Sequence, residues 1–132
     1  MIAKQVTVFI ENREGRLCEV LEILKDNDIN VVGASIADTS DFGLFRMIVN
    51  DPEKACNALK EKGIMSKLTN VISVSVPHKA GGLEKVIKVI NEAGINIEYL
   101  YGMSSQDSDA MIVLKTEDLE ATESVLQKHI AE

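Results

Sequence analysis

The chain has 132 residues, of which 45% are hydrophobic and 27% charged, and its formal net charge at pH 7 is −7. Its apolar fraction is high enough to fill a packed core, which excludes an intrinsically disordered chain. The negative charge argues against sequence-independent binding of nucleic acid, because that requires clustered lysine and arginine side chains.

The two cysteines, Cys18 and Cys56, lie in helix-like segments and lack the spacing of a metal or redox motif. We expect both to be small buried apolar residues with reduced thiols. The sequence shows no secretory leader and no apolar run of about 18 residues, the length that spans a membrane. These features predict a cytoplasmic protein with no membrane partner.

The first half of the chain alternates between strand and helix patterns. A β-branched run at residues 5–11 predicts a strand, and a turn around Gly15 follows it. The next segment has the i, i+3, i+4, i+7 apolar period of a helix, formed by Leu17, Val20, Leu21 and Leu24. We expect Asn27 or Asp28 to end this helix in a left-handed cap.

Three strands and one helix are predicted in the remainder of this half. The strands are expected at residues 29–37, 43–49 and 64–68. The helix lies between the last two, with Asp51 as N-cap and Pro52 at the first helical position.

The second half repeats the first at an offset of 66 residues, which matches Gly15 with Gly81 and Asn30 with Asn96. Its helical stripe is formed by Leu83, Val86, Ile87 and Ile90, and Gly94 is the expected cap. Its strands are predicted at residues 70–76, 95–103 and 110–115.

Three finer predictions concern the later part of the repeat. The run RMIVND at 46–51 aligns with AMIVLK at 110–115, an offset of 64 that implies the loss of two residues from the turn before it. Thr116 is expected to cap the last helix. Core or inter-module packing is assigned to one face of a strand, formed by Ile95, Ile97, Tyr99, Tyr101 and Met103, and core packing to Met47 and Met111.

Each half follows the order β-α-β-β-α, and the first half adds a fourth strand, which is the ferredoxin-like order. We therefore predict an α+β protein of two βαββαβ modules, residues 1–68 and 69–132, with antiparallel sheets and the helices on one face. Only four residues follow the last helical segment, so the second module is predicted to lack its last strand. We expect the first module or a partner chain to cover the open edge.

The turn x-x-x-G-x-L, the amphipathic helix and the dipeptide IN that opens the next strand resemble the ACT domain, and both halves carry this pattern. The resemblance implies a stand-alone tandem ACT protein, an allosteric sensor of amino-acid metabolism without a catalytic domain. Two features depart from the family. Asn12 and His78 stand where Asp is common, and Glu14 and Ala80 precede the glycine where Pro is common.

The turns around Gly15 and Gly81 can each bind a carboxylate. The first N–H groups of the helix that follows have no intrahelical acceptor, and they lie at the positive end of the helix dipole. We expect the ligand's ammonium group at Asn12 or Asn30 in the first module and at Asn96 in the second. The resemblance implies that a neighbouring module or chain completes the site. The candidate ligand-binding residues are Asn12, Arg13, Glu14, Gly15, Arg16, Leu17, Asn30, His78, Lys79, Ala80, Gly81, Gly82, Leu83 and Asn96.

An alternative stays open, because glycine also serves a strand-to-helix turn that binds nothing. The chain would then be a non-ligand-binding dimerisation or docking module for a metabolic enzyme. A homodimer is expected in either case. The sequence shows no catalytic triad motif, HExxH or phosphate loop, so we expect no enzymatic activity, no catalytic residues, no metal and no cofactor.

Overall fold

The computed structural model describes residues 1–11, 14–38, 42–103 and 109–129. The elements are β1 (Ile2–Glu11), α1 (Arg16–Asp26), β2 (Val31–Asp38), β3 (Phe42–Val49), α2 (Pro52–Glu61), β4 (Ser66–Pro77), α3 (Gly82–Glu92), β5 (Ile97–Met103), β6 (Asp109–Thr116) and α4 (Leu119–His129). This order confirms the predicted α+β class. No helix among the described residues is both long and apolar enough to cross a membrane.

The chain divides into two compact units. The N-terminal module consists of Lys4–Thr69, and the C-terminal module combines Met1–Ala3 with Asn70–Glu132. Strand β4 therefore contributes its first four residues, 66–69, to one module and the remainder to the other.

The N-terminal module has the strand order β2-β3-β1-β4, with β3 antiparallel to both β1 and β2. Met47 of β3 pairs with Val6 on one side and with Ala34 on the other. One face of these strands forms a hydrophobic cluster with α1 and α2, whose most buried members include Val6, Val8, Val20, Leu24, Met47 and Leu59. The helices thus cover one face of the strands, as predicted.

The C-terminal module has the strand order β4-β6-β5, again antiparallel. Its core cluster joins these strands to α3 and α4 and includes Ile72, Val74, Ile90, Leu114 and Leu126. The outer edge of β4 is covered at Ser73, whose N–H donates to the Met1 carbonyl at 2.7 Å. The prediction that this module lacks its last strand concerns the end of the chain. Residues 130–132 lie outside the described residues, so it stays a prediction.

The strand register corrects the alignment of the two halves. Val6 pairs with Met47 in one module, and its counterpart Ile72 pairs with Leu114 in the other. Met47 therefore corresponds to Leu114, 67 positions on (114 − 47), and not to Met111 as the offset of 64 implied. Both Met47 and Leu114 are fully buried, whereas Met111 is only half-buried. The pattern of buried residues, rather than the shared Met-Ile-Val sequence, therefore sets the pairing register of β3 and β6.

The N-cap of α4 is Asp118 and not the predicted Thr116. The Oδ1 atom of Asp118 accepts the N–H of Ala121 at 3.0 Å. This repeats the role of Asp51, whose carboxylate caps α2 as predicted. Thr116 is instead the buried last residue of β6, and its hydroxyl contacts that of Thr122.

In the described part of the chain, helices α1, α2 and α3 end in the same left-handed turn. The residue with positive φ in each of these turns is Asp28 at 57°, Gly63 at 76° and Gly94 at 73°. An isoleucine follows each and donates its N–H to a carbonyl five residues back: Ile29 to Leu24, Ile64 to Leu59 and Ile95 to Ile90, at 2.9, 2.9 and 3.3 Å. The caps expected at Asp28 and Gly94 are confirmed, and Asp28 occupies a position that glycine holds elsewhere.

A β-bulge between Ile97 and Tyr99 divides the predicted tyrosine face of β5. Ile97 pairs with Thr116 and packs against the core on the helix side, whereas Tyr99 pairs with Lys115. The alternation of side chains is shifted by one residue at the bulge. The prediction that the tyrosines share a face with Ile97 is therefore wrong, although Tyr101 is buried.

Two side chains of α1 depart from their predicted burial. Cys18 is exposed, and Leu21 remains 40% exposed although it belongs to the predicted apolar stripe. The helix is instead anchored by Val20 and Leu24, with Ile23 packed beside them. Leu21 is therefore an apolar side chain that the core of its module does not use.

Candidate functional site

Helices α1 and α3 both begin at a glycine with left-handed backbone. Gly15 has φ 84° and Gly81 has φ 86°, a conformation that is strained for most residues other than glycine and asparagine. No side-chain hydrogen bond caps either helix within the described part of the chain. Asp51 and Asp118, in contrast, cap α2 and α4. Among the described residues, the two helices that follow the predicted turns are thus the two whose first N–H groups have no side-chain acceptor.

Both turns are open to solvent. Gly15 and Gly81 are exposed, and a Cβ placed on either would meet no atom of the described residues within 4 Å. A small anion can therefore approach the N–H groups of the first turn of α1 or α3.

Two backbone hydrogen bonds hold the second turn. Lys79 N–H donates to the Pro77 carbonyl at 2.9 Å, and Gly82 N–H donates to the Lys79 carbonyl at 3.1 Å. A Cβ on Gly82 would collide with the Pro77 carbonyl oxygen. The corresponding residue of the first turn is Arg16, whose guanidinium pairs with Glu19 at 2.6 Å.

The remaining predicted turn residues lie on the surface beside these glycines. Leu17 is half-buried against the core of its module, and Asn12 and Arg13 lie outside the described residues. The exposed members are Glu14, His78, Lys79, Ala80 and Leu83. The structure thus gathers residues 14–17 at one turn and residues 78–83 at the other.

Asn30 and Asn96 do not lie at these turns within their modules. Asn30 follows the C-terminal end of α1, and this 11-residue helix, about 16 Å long, separates it from Gly15. The Asn30 N–H donates to Asn50 Oδ1 at 2.9 Å, and the Asn50 N–H donates to the Asn30 carbonyl at 3.2 Å. Asn96 is held in the same way by Glu117, with both distances 3.2 Å.

A groove of about 340 Å³ surrounds Asn30, and we call it the Asn30 groove. Its lining includes Leu21, Lys25, Asp28, Asn30, Val31 and Asn50. Lys25, Asp28 and Asn50 were not predicted as site residues. One signal in the sequence could have marked Asp28, which takes the place of the glycine that ends the matching helix at Gly94.

A second groove, of about 480 Å³, lies beside the C-terminal end of α2 and is lined in part by Cys56, Lys60 and Met65. It contains none of the predicted site residues. Within the part of the chain that the structure describes, no group of three or more His, Cys, Asp or Glu side chains could hold a metal ion.

Known proteins share this architecture. Protein BT0572 from Bacteroides thetaiotaomicron is 38% identical, with a TM-score of 0.91 and coverage of 97% of this chain and 88% of that chain. The ligand-free regulatory subunit of aspartate kinase from Thermus thermophilus is 16% identical, with a TM-score of 0.65 and coverage of 98% and 97%. The corresponding subunit from Thermus flavus is 18% identical, with a TM-score of 0.64 and coverage of 97% and 95%.

The likeness to the two Thermus subunits shows the fold alone at these identities. None of the curated proteins matches the sequence. The family model described as an ACT domain pair matches residues 1–131, nearly the whole length. The chain therefore belongs to the ACT domain pair family.

Proposed function

We propose that this protein is a regulatory amino-acid sensor without catalytic activity. The observation that carries the proposal is the pair of helix starts at Gly15 and Gly81, which have no side-chain cap among the described residues, whereas Asp51 and Asp118 cap the other two helices. The family supports it, as does the named role of the Thermus thermophilus protein, a regulatory subunit of nearly the same extent. A metabolic enzyme is the proposed partner.

The ligand's carboxylate would lie at residues 14–17 or 80–83, on N–H groups of the first helical turn other than that of Gly82, which donates to the Lys79 carbonyl. The helix dipole contributes about 0.3–1 kcal/mol there, besides the hydrogen bonds. His78 and Lys79 are exposed at the rim of the second turn. Since Asn30 and Asn96 stand at the far ends of α1 and α3, we propose that a second copy of the chain supplies them to the ammonium group.

The second candidate function is dimerisation or docking without a ligand, and strand β2 favours it. In the described residues β2 pairs only with β3, so its other edge is open. Val32 and Ile36 are 52% and 57% exposed, and no charged residue occurs between Val31 and Ala37. An open apolar edge strand of this kind can pair with a strand of another chain. We propose a homodimer formed through β2 under either function.

The test of ligand binding is thermal unfolding of the full chain with each of the twenty amino acids at millimolar concentration. A ligand at 100 times its Kd stabilises the folded state by about 2.7 kcal/mol, which raises Tm visibly. Gly15→Asn and Gly81→Asn should reduce the shift, because asparagine tolerates the left-handed backbone and fills the open turn. Gly63→Asn is the matched control, with the same backbone at the end of α2.

Absence of a shift with all twenty amino acids would refute the sensor proposal for this chain. If both turn variants show the same Tm shift as the wild type, the ligand does not bind at the turns. We also propose a cytoplasmic location, in which the free thiols of Cys18 and Cys56 stay reduced.

A further inference from the structure

The groove of about 480 Å³ at the C-terminal end of α2, here called the α2 groove, contains none of the residues assigned to the amino-acid ligand. We propose that it docks an acidic peptide segment of a partner protein. In this assignment the lysines around the groove bind carboxylates of the segment, and Met65 contacts one apolar side chain. The inference rests on the proposed function for the existence of a partner, but it does not require that an amino acid binds at the turns.

The lining of the α2 groove is mostly exposed to solvent. Asn57 and Lys60 of α2 are exposed, as are Gly63 and Met65 in the turn that follows the helix. Ile64 is the one buried residue of the lining. A typical small-molecule site, in contrast, encloses about 70–90% of the surface of its ligand. An open groove of this kind is better suited to a segment of chain that lies across it.

Met65 provides an apolar contact on a fixed backbone. Its side chain is 70% exposed, the largest value among the large apolar side chains of the described residues. The Met65 carbonyl accepts the Phe9 N–H at 3.0 Å, and the Ile64 N–H donates to the Leu59 carbonyl at 2.9 Å. Methionine is flexible and polarisable, so it adapts to apolar partners of different shape. A partner side chain that covers Met65 would remove apolar surface from water.

The surroundings of the α2 groove are basic although the whole chain is acidic. Residues 54–68 have a net charge of +3, whereas the full chain has −7. The single acid of this segment is Glu61, and its lysines are Lys54, Lys60, Lys62 and Lys67. All four lysines are exposed, and none of them forms an ion pair within the described residues.

The acidic groups at the start of α2 do not neutralise the lysines at its end. Asp51 accepts the Lys54 N–H at 3.2 Å as the helix cap, and Glu53 pairs with Lys4 at 3.7 Å. Lys60 lies in the last turn of the helix, beside the groove. A segment rich in aspartate or glutamate complements this positive charge, and the attraction also speeds the encounter of the two proteins.

The C-terminal module differs at the matching place. At the offset of 67 that aligns the caps of α2 and α4, Lys60 corresponds to Gln127. Cys56 of the groove lining corresponds to Glu123, whose carboxylate accepts the Ile2 N–H at 3.2 Å. The basic groove is thus a feature of the N-terminal module.

The test is ¹H–¹⁵N NMR of the full chain titrated with a capped nine-residue peptide that has leucine at its centre and four glutamates on each side. We expect the amides of Lys60, Gly63 and Met65 to shift. Lys60→Gln should weaken binding about fivefold, the value of an exposed ionic contact. Met65→Ser should weaken it about tenfold, the lower end for burial of an apolar side chain. The spectra of the variants also report whether the fold is retained.

Two variants serve as matched controls and should bind the peptide as the wild type does. Lys128→Gln removes an exposed lysine from the last turn of α4, as Lys60→Gln does from that of α2. Leu100→Ser removes an apolar side chain that is 40% exposed on β5, as Met65→Ser does beside α2.

Changes in the peptide test the two parts of the assignment. Serine in place of the central leucine should weaken binding to the wild type about tenfold, whereas Met65→Ser should not distinguish the two peptides. Lysine in place of the glutamates should abolish the shifts. Sodium chloride at about 0.5 M should weaken binding of the acidic peptide, because the ionic contacts are exposed and screened.

Four results would overturn the proposal. The first two are unmoved groove amides at millimolar peptide and equal weakening by Lys60→Gln and Lys128→Gln. Shifts of the same size with free glutamate at equal carboxylate concentration would mean that the groove binds anions only. Shifts of the groove amides on raising the protein concentration alone would identify a second copy of the chain as the occupant. The thermal series with twenty amino acids decides separately on the sensor.

Discussion

The hydroxyl oxygens of Thr116 and Thr122 lie 2.6 Å apart, and both side chains are fully buried in the C-terminal module. The Thr122 hydroxyl also lies 2.7 Å from the Asp118 carbonyl, to which it donates. Since a hydroxyl has only one proton, Thr116 must be the donor to Thr122. The corresponding residues of the N-terminal module, 67 positions earlier, are Val49 and Ala55, an apolar pair.

We predict that the two threonines are energetically coupled. Thr122→Ala leaves the Thr116 hydroxyl buried without an acceptor and should cost about 1–3 kcal/mol of unfolding free energy. Thr116→Val combined with Thr122→Ala recreates the Val49 and Ala55 pair and should cost less than the sum of the single changes. A double-mutant cycle by urea unfolding measures the coupling, and additive costs would contradict it.

Asp28 should be replaceable by glycine with a gain in stability. Asp28→Gly relieves the left-handed strain and should raise the free energy of unfolding by about 1 kcal/mol. Gly94→Ala is the reciprocal control, expected to lower it by a similar amount, because the same backbone then carries a Cβ. Urea unfolding of both variants checks the signs, and a loss of stability in Asp28→Gly would show that the carboxylate has a structural partner.

The second turn should be less tolerant of a side chain than the first. Gly82→Ala places a Cβ against the Pro77 carbonyl oxygen, and we expect a cost of about 1–3 kcal/mol as the turn shifts. Arg16→Ala, at the matching place, removes only a surface ion pair worth about 0.2–1 kcal/mol. Equal changes of Tm in the two variants would mean that the turn around Gly82 rearranges without strain.

The open edge of β2 should govern self-association. Ile36→Lys introduces a charge on this strand and should shift the protein from dimer to monomer in sedimentation velocity. Leu100→Lys is the matched control on β5, the outer strand of the C-terminal module, where Leu100 is 40% exposed. A dimer that survives Ile36→Lys but not Leu100→Lys would assign the interface to β5.

Much of the fold follows from periodicity and turn chemistry in the sequence. The stripe through Val20 and Leu24 predicted α1, and Asp51 with Pro52 predicted the start of α2. Thr116 and Asp118 are both good caps by residue type, however, and only the strand register puts the second at the helix start. The bulge after Ile97 leaves no clear mark in the sequence, because packing, not residue type, decides where alternation breaks.

The sequence predicts the two glycine turns but not the Asn30 groove. Gly15 and Gly81 are visible in sequence because a left-handed turn selects glycine directly. Lys25 and Asn50 are not, since a groove forms only when the end of α1 meets the end of β3 in three dimensions. Asn30 was assigned to the turn by its place in the family pattern, yet within its module α1 separates the two.

Strand β4 makes the two halves of the sequence impossible to separate cleanly. Cleavage at the end of the repeat, after residue 68, would split this strand, and it would detach Met1 from Ser73, whose N–H it accepts. Each fragment would then expose a strand edge with unpaired backbone N–H and C=O groups. The segment that was copied in evolution is therefore not a segment that can be excised, and a fragment that isolates one module must carry residues from both repeats.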